Sequence, residues 1–224
     1  MTTEPDPTPR RTPLTKAAVL GAAVDMADRS GAGVPSMRNL ADRLGVKAMA
    51  LYHHFRNKEA LTDGMTDLVF AEIELPADGA DWHPAMRDRA RSLREALRRH
   101  PWASALMDSR AQPGPATLRH HDAVIGCLRG GGFTVAGAAH AFALIDAYVY
   151  GFALQERSLP FETVDDLEGV AEGIMQSMAD AHLPHLAEMF TELALKPGYD
   201  YGEEFEVGLD LILDGLARRR TDWR

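Results

Sequence analysis

Between Ser36 and Lys58 the chain sets Leu40, Ala41, Leu44, Val46 and Leu51 around a single glycine, Gly45. With Met37 as the first helical position, these apolar residues fall where two short helices joined by a tight turn interlock at a steep angle. Ala41 supplies the small side chain where the helices cross. Gly45 supplies the left-handed backbone of the turn without a Cβ penalty. Ser36 precedes MRNLADRL, and a second helix is expected from about Lys47 to His53. This spacing predicts a helix-turn-helix, whose second helix is shaped to enter a major groove with its N-terminal residues facing base edges.

The remaining punctuation is also helical. LTKAAVLGAAVDMADR, from Leu14 to Arg29, has apolar residues at helical spacing, with Thr15 as N-cap and Gly31 as stop. Asn57 caps a further helix running to about Glu74. Beyond the turn at Pro76, Asp78, Gly79 and Asp81, helices are expected over about 84–99, 102–109, 115–130, 135–157, 165–181, 184–194 and 202–219. Pro101, Pro113, Pro115, Gly130 to Gly132, Pro160, Pro184, Pro197 and Gly198 break them. No alternating pattern competes, so the fold class is all-α: a three-helix DNA-binding head and a larger helical domain. Residues 1–13, MTTEPDPTPRRTP, read as a disordered arm, residues 14–61 as the head with a linking helix to about 74, and 75–224 as the larger helical domain.

Net charge is −9, which argues against a nucleic-acid partner until it is divided along the chain. From Arg10 to Leu61 there are nine basic and four acidic residues, a balance of +5; the rest balances to −14. A basic head on an acidic body attracts phosphate at one end and repels it at the other. Cys127 is the only cysteine, which excludes an intrachain disulfide and a thiolate cluster. No secretion signal is evident and no window approaches the ~20 apolar residues of a membrane span, so a cytoplasmic location without membrane contact is expected.

The second helix puts Lys47, Ala48, Met49 and Ala50 toward the groove. The set is nearly all apolar, so contacts to thymine methyl groups are the readout available, with Lys47 for guanine or phosphate. Tyr52, His53 and His54 offer hydroxyl and imidazole groups to phosphates. Lys58 stands at a helix N-terminus, where backbone N–H groups favour anions. Arg38, in the first turn of the supporting helix beside Ser36, has a fork able to reach a guanine edge or a phosphate.

These residues carry a resemblance. GVPSMRNLADRLGVKAMALYHHFRNKEAL is similar to the TetR family of repressors, whose reader helix ends in LYxHF followed by NKxxL; here the sequences are LYHHF and NKEAL. The likeness runs from about Leu14 to Leu61. A weaker likeness to the tetracycline-repressor type of C-terminal domain continues through LRGGGFTVAGAAHAFALIDAYVYGFALQE and FEVGLDLILDGL. It implies that 75–224 is a ligand-binding and dimerisation domain: a homodimer built through helices near 135–157 and 202–219, a double-stranded operator as partner, and a small-molecule effector inside this effector-binding domain. Residues that would bind magnesium-tetracycline fall at Met107, Ala147 and Gln155, which supply no equivalent metal ligand, so tetracycline sensing is not implied. The expected pocket consists of Met107, His121, Val124 and Phe142 with Trp102, Tyr148 and Phe152, an apolar and aromatic set suited to a hydrophobic effector.

No metal or cofactor is expected. His182 and His185 have a suggestive spacing, but Pro184 breaks the helix that would align them. His120, His121 and Asp122 lie too close in sequence to converge on one helix face, and no nucleophile has a base at a readable spacing. The methionines are read as core and pocket filler, and Trp82 and Trp102 as anchors of helix junctions. The alternative is a helical small-molecule-binding protein or enzyme in which the helix-turn-helix is only scaffold.

Overall fold

A computed structural model describes residues 13–31, 33–107, 112–159, 173–196 and 198–223. Among them every regular element is helical: α1 (Lys16–Ser30), α2 (Met37–Leu44), α3 (Ala48–Tyr52), α4 (Lys58–Glu72), α5 (Trp82–Arg99), α6 (Pro115–Gly130), α7 (Val135–Ser158), α8 (helical over 173–180), α9 (Pro184–Met189) and α10 (Glu204–Arg219). The proposed arm lies almost wholly outside the described residues. The chain divides into two compact units, Met1–Glu72 with Arg99–Arg119, and Ile73–Arg98 with His120–Arg224.

In the first unit the caps are those the sequence supplies. The Thr15 hydroxyl accepts from the Ala18 amide at 3.1 Å, and Gly31 closes α1 at φ 61. The Ser36 hydroxyl accepts from the Asn39 amide at 3.1 Å, and Asn57 Oδ1 accepts from the Ala60 amide at 2.9 Å. Gly45 sits at φ 64 with its N–H turned back to the last carbonyls of α2, the left-handed cap its position demands. Leu40, Ala41, Leu51, Phe55 and Leu61 are buried together with Val19, Ala23 and Met65, so α1 to α4 share one core. The segment after α5 is tied into this unit: the Trp102 indole N–H donates to Asp28 at 2.6 Å, and His100 contacts Asp28 at 2.9 Å and Glu72 at 3.2 Å. Asp67 of α4 accepts from the Thr117 amide at 2.8 Å at the start of α6.

Several expected helices change extent. The reader helix is shorter at each end, because Lys47 is extended at φ −75, ψ 142 and His53 already caps. α4 stops at Glu72 and not Glu74. α5 starts at Trp82, with Asp81 Oδ1 accepting from the His83 amide; Pro84 fits in the first turn because no helical N–H is needed there. Over 102–107, the described part of the helix expected over 102–109, no α-helix is formed. A 3₁₀ turn, Pro101–Ala103, and further turns to Met107 replace it, and 108–111 lie outside the described residues. The physical reason is local anchoring: Trp102 is bonded to Asp28, and the Ser104 hydroxyl closes back on the Pro101 carbonyl. Of the helix expected over 165–181, residues 173–180 are described and helical. That expected over 184–194 is α9 followed by a π turn, Phe190–Ala194, and that over 202–219 is the turn Tyr201–Glu203 leading into α10.

In the second unit, α5, α7 and α10 pack together. Arg91 of α5 forms a fork with Glu206 of α10, both bonds 2.8 Å, and Arg87 pairs with Asp210. Arg94 pairs with Glu156 of α7 at 2.5 Å and lies 4.9 Å over Phe152 and 4.7 Å over Phe205. α7 corrects the expectation that no segment is apolar enough to span a membrane, since its best window has mean hydropathy 1.3 over a 24-residue helix. Length and composition are all that this shows, and the helix carries Asp146 in a buried ion pair and Glu156 in a half-buried one.

Candidate nucleic-acid interface

The reader helix α3 has a sharp inner and outer side. Leu51 is buried against α2, while Met49 is 69% exposed and Tyr52 45%. Lys47 and His53 are exposed; Ala48, Ala50 and His54 are half-buried. Lys47 precedes α3 without capping it through its side chain, which leaves the ammonium to the surroundings. Arg38 on α2 and Lys58 at the start of α4 are exposed too.

The cations of α1 to α4 differ in their partners. Arg29 and Arg43 both face Asp25, at 2.8 and 3.7 Å. Among the described residues Arg38, Lys47 and Lys58 make no ion pair, so their charge is not spent internally. Ser36 uses its oxygen as the α2 cap and retains the hydroxyl proton as a donor. The arrangement is an apolar centre of Met49 with Ala48 and Ala50, bordered in sequence by unpaired cations, a phenol and two imidazoles. Such a surface can contact thymine methyl groups and bind phosphates.

The residues expected at an effector pocket are distributed over both units. Trp102 and Met107 are buried in the first, where Trp102 acts as an anchor through Asp28. In the second, His121 and Phe142 pair edge to face at 5.1 Å, with Val124 buried on the same helix as His121. Tyr148 and Phe152 belong to another aromatic group with Phe205 and Tyr201; the Tyr148 hydroxyl donates to the Phe205 carbonyl at 3.0 Å. Gln155, on α7, accepts from the Tyr201 hydroxyl at 2.9 Å.

Sequence reasoning missed the polar centre of the second unit. Arg89 is 1% exposed, pairs with Asp146, and donates from Nε to His120 Nε2 at 3.1 Å. The Tyr150 hydroxyl reaches the other Asp146 oxygen at 3.5 Å. A signal was available: Asp146 is the one acid within the apolar run AFALIDAYVYGFAL, a position where a carboxylate needs a partner. Burial pushes the His120 imidazole down to about 3, assisted by the Arg89 charge and by His121. The unfolded chain therefore takes up a proton near pH 6.5 that the folded chain refuses until about 3, and stability falls as pH drops through that window. Urea unfolding of His120→Gln against wild type should show this difference: the variant loses less stability between pH 7 and pH 4. Parallel pH profiles would contradict the assignment.

No group of three or more His, Cys, Asp or Glu suited to a metal occurs among the described residues. His182 and His185 are exposed, and His182 has a left-handed backbone at φ 54.

Comparison with known proteins gives a family for each part. Residues 19–65 match the bacterial regulatory proteins of the tetR family, and residues 75–220 the tetracyclin repressor-like C-terminal domain. An HTH-type transcriptional regulator of Saccharopolyspora erythraea is 33% identical over 210 residues, covering 91% of this chain and 85% of that protein. The class A tetracycline repressor from transposon 1721 of Escherichia coli is 31% identical over 205 residues, 90% of each chain. Among solved structures, the TetR family protein ActR of Streptomyces coelicolor in complex with actinorhodin has a TM-score of 0.74 at 28% identity, covering 92% of this chain and 98% of that one. Relatives over nearly the full length are regulators, so the reading as an enzyme with an idle helix-turn-helix is not favoured. The chain belongs to the TetR family and is a DNA-binding transcriptional regulator.

Proposed function

We propose that the protein is a cytoplasmic homodimeric repressor that holds a pseudo-palindromic operator through α3 and releases it when a hydrophobic small molecule occupies the domain from 75 to 224. The observation that carries the DNA half of this reading is the open α3 face, with Met49 exposed and Arg38, Lys47 and Lys58 unpaired among the described residues. Ser36, Tyr52, His53, His54 and Lys58 serve the phosphates, Ala48, Met49 and Ala50 meet base edges, and Arg38 and Lys47 each reach a guanine edge or a phosphate. Specificity then leans on methyl contacts, Arg38 and the shape of the DNA.

Dimerisation is supported by apolar surface that the single chain leaves uncovered. Leu144, Ala147, Gly151 and Leu154 form one exposed stripe along α7, and Val207 and Leu211 stand on α10 at 57% and 69% exposure. Stripes of this kind mark contact surfaces, and the small residues Ala147 and Gly151 allow helices to approach closely. The effector half is supported by relatives that answer to small molecules: ActR is solved with actinorhodin, and the class A protein is named for tetracycline. Met107, Ala147 and Gln155 exclude a copied magnesium-tetracycline site. Release is a population shift, in which the effector favours a spacing of the two heads that no longer fits successive major grooves.

Footprinting on the DNA upstream of the protein's own gene tests the reading. Two protected half-sites of inverted sequence are expected, separated by about one helical turn, ~34 Å. Absence of protection, or one unrepeated patch, would contradict it.

A further inference from the structure

Building on the dimer reading above, we propose that the end of the chain is a strap, in which Trp223 seated on Gly137 fixes the register of α7 against α10 and so shapes the face that a second copy meets.

Two glycines carry the argument. On α7, Gly137 and Tyr148 stand about three helical turns apart and so share one side of the helix; on α10, Gly208 and Arg219 have the same spacing. Tyr148 packs so closely on Gly208 that a Cβ there would overlap the phenol, and its hydroxyl donates to the Phe205 carbonyl at 3.0 Å. At the other end a Cβ on Gly137 would lie 2.7 Å from Cδ1 of the Trp223 indole, and the Arg219 guanidinium lies 5.4 Å over that ring. The helices therefore run antiparallel, with an aromatic ring seated on bare backbone at each end. Close-packed contacts of this kind, matched in spacing on both helices, admit one register.

Trp223 reaches this place because the chain turns just past α10, where the Asp222 amide donates to the Arg219 carbonyl at 2.9 Å. The Thr134 hydroxyl holds it there. As the cap of α7 it accepts from the Gly137 amide at 3.0 Å, and it donates its own proton to the Trp223 carbonyl at 2.9 Å. Arg220 donates to the Gly131 carbonyl at 3.4 Å, and the His140 ring lies 5.0 Å from the indole. The effect extends to the uncovered apolar surface. Ala147 precedes Tyr148 and Val207 precedes Gly208, so the stripe of Leu144, Ala147, Gly151 and Leu154 and the pair Val207 and Leu211 lie beside the locked sides of their helices. A slide or roll of α7 along α10 would part these two surfaces; the strap holds them as one contact face.

Sedimentation equilibrium of the full-length protein tests the proposal. Trp223→Ala should raise the dimer dissociation constant at least about tenfold, while Trp223→Phe, which keeps a ring on Gly137, should stay within about threefold of wild type. Gly137→Ala unseats the indole from the other side and should weaken the dimer to a similar degree; the double variant Gly137→Ala/Trp223→Ala should be no weaker than either single one, because both remove the same contact. Thr134→Asp still caps α7 but has no proton for the Trp223 carbonyl, so it should weaken the dimer at least about threefold, with Thr134→Ser close to wild type. This pair decides the matter if Trp223→Ala does not fold. A dissociation constant unchanged in Trp223→Ala or in Thr134→Asp, or losses that simply multiply in the double variant, overturns the strap and leaves the dimer reading standing. A wild type that is monomeric overturns the dimer reading and the strap with it.

Discussion

Arg89→Met, with Asp146 left in place, is expected to lower folding stability by about 3–5 kcal/mol, a large share of what holds a domain folded. The carboxylate of Asp146 is 5% exposed and faces the guanidinium from α7, while His120 Nε2 on α6 accepts a hydrogen bond from the Arg89 Nε–H. Removing the cation strands a buried anion and leaves the His120 nitrogen without its donor. The companion change behaves differently. Arg89→Met/Asp146→Leu replaces the pair with apolar groups of similar bulk, and exchanges of this kind are often neutral or stabilising. Urea unfolding at pH 7 checks both: the single variant should have a much lower midpoint, and the double variant one near wild type. Equal losses in both would show that packing, and not the stranded charge, sets the cost.

Leu211→Glu combined with Leu154→Glu should abolish dimerisation and reduce operator affinity by more than about a hundredfold, which is within the gap between specific and non-specific binding of such proteins. Both leucines are exposed in the single chain, at 69% and 51%. A twofold interface would bring each of the four introduced carboxylates into an apolar contact, where an unpaired charge is expensive. A lone head retains its phosphate contacts but loses the second half-site. Sedimentation equilibrium and operator titration on the same preparation provide the check. A variant that remains dimeric would place the interface elsewhere, and a monomer that still binds the operator tightly would remove the dimer from the mechanism.

The legible part of this protein was the part governed by local rules. Thr15, Ser36, Asn57, Gly31 and Gly45 all cap or stop where their side chains or backbone freedom require. The inward set of the helix-turn-helix was readable because its spacing leaves little choice: Leu40, Ala41 and Leu51 are buried. Of the residues expected on its outer face, Met49 and Tyr52 are exposed. The segment from 102 to 109 was misread because its shape is decided by partners far away in sequence, Asp28 for Trp102 above all. The effector residues were harder for the same reason. His121 and Phe142 do meet, whereas Tyr148 and Phe152 join Phe205 of α10, and only the course of the chain tells the two groups apart. Arg89, His120 and Asp146 lie 31 and 57 residues apart from the arginine in sequence, so only Asp146, an acid in an apolar run, gave any local sign.

The central claim is that the α3 face and its unpaired cations bind DNA. Its most direct test is the salt dependence of binding to the protein's own upstream fragment, for wild type and for Arg38→Ala, Lys47→Ala and Lys58→Ala. Affinity should fall steeply as salt rises, and each variant that loses a phosphate contact should reduce the slope of log K against log salt by about 1. Binding that does not respond to salt, or a slope identical in wild type and all three variants, would contradict the account.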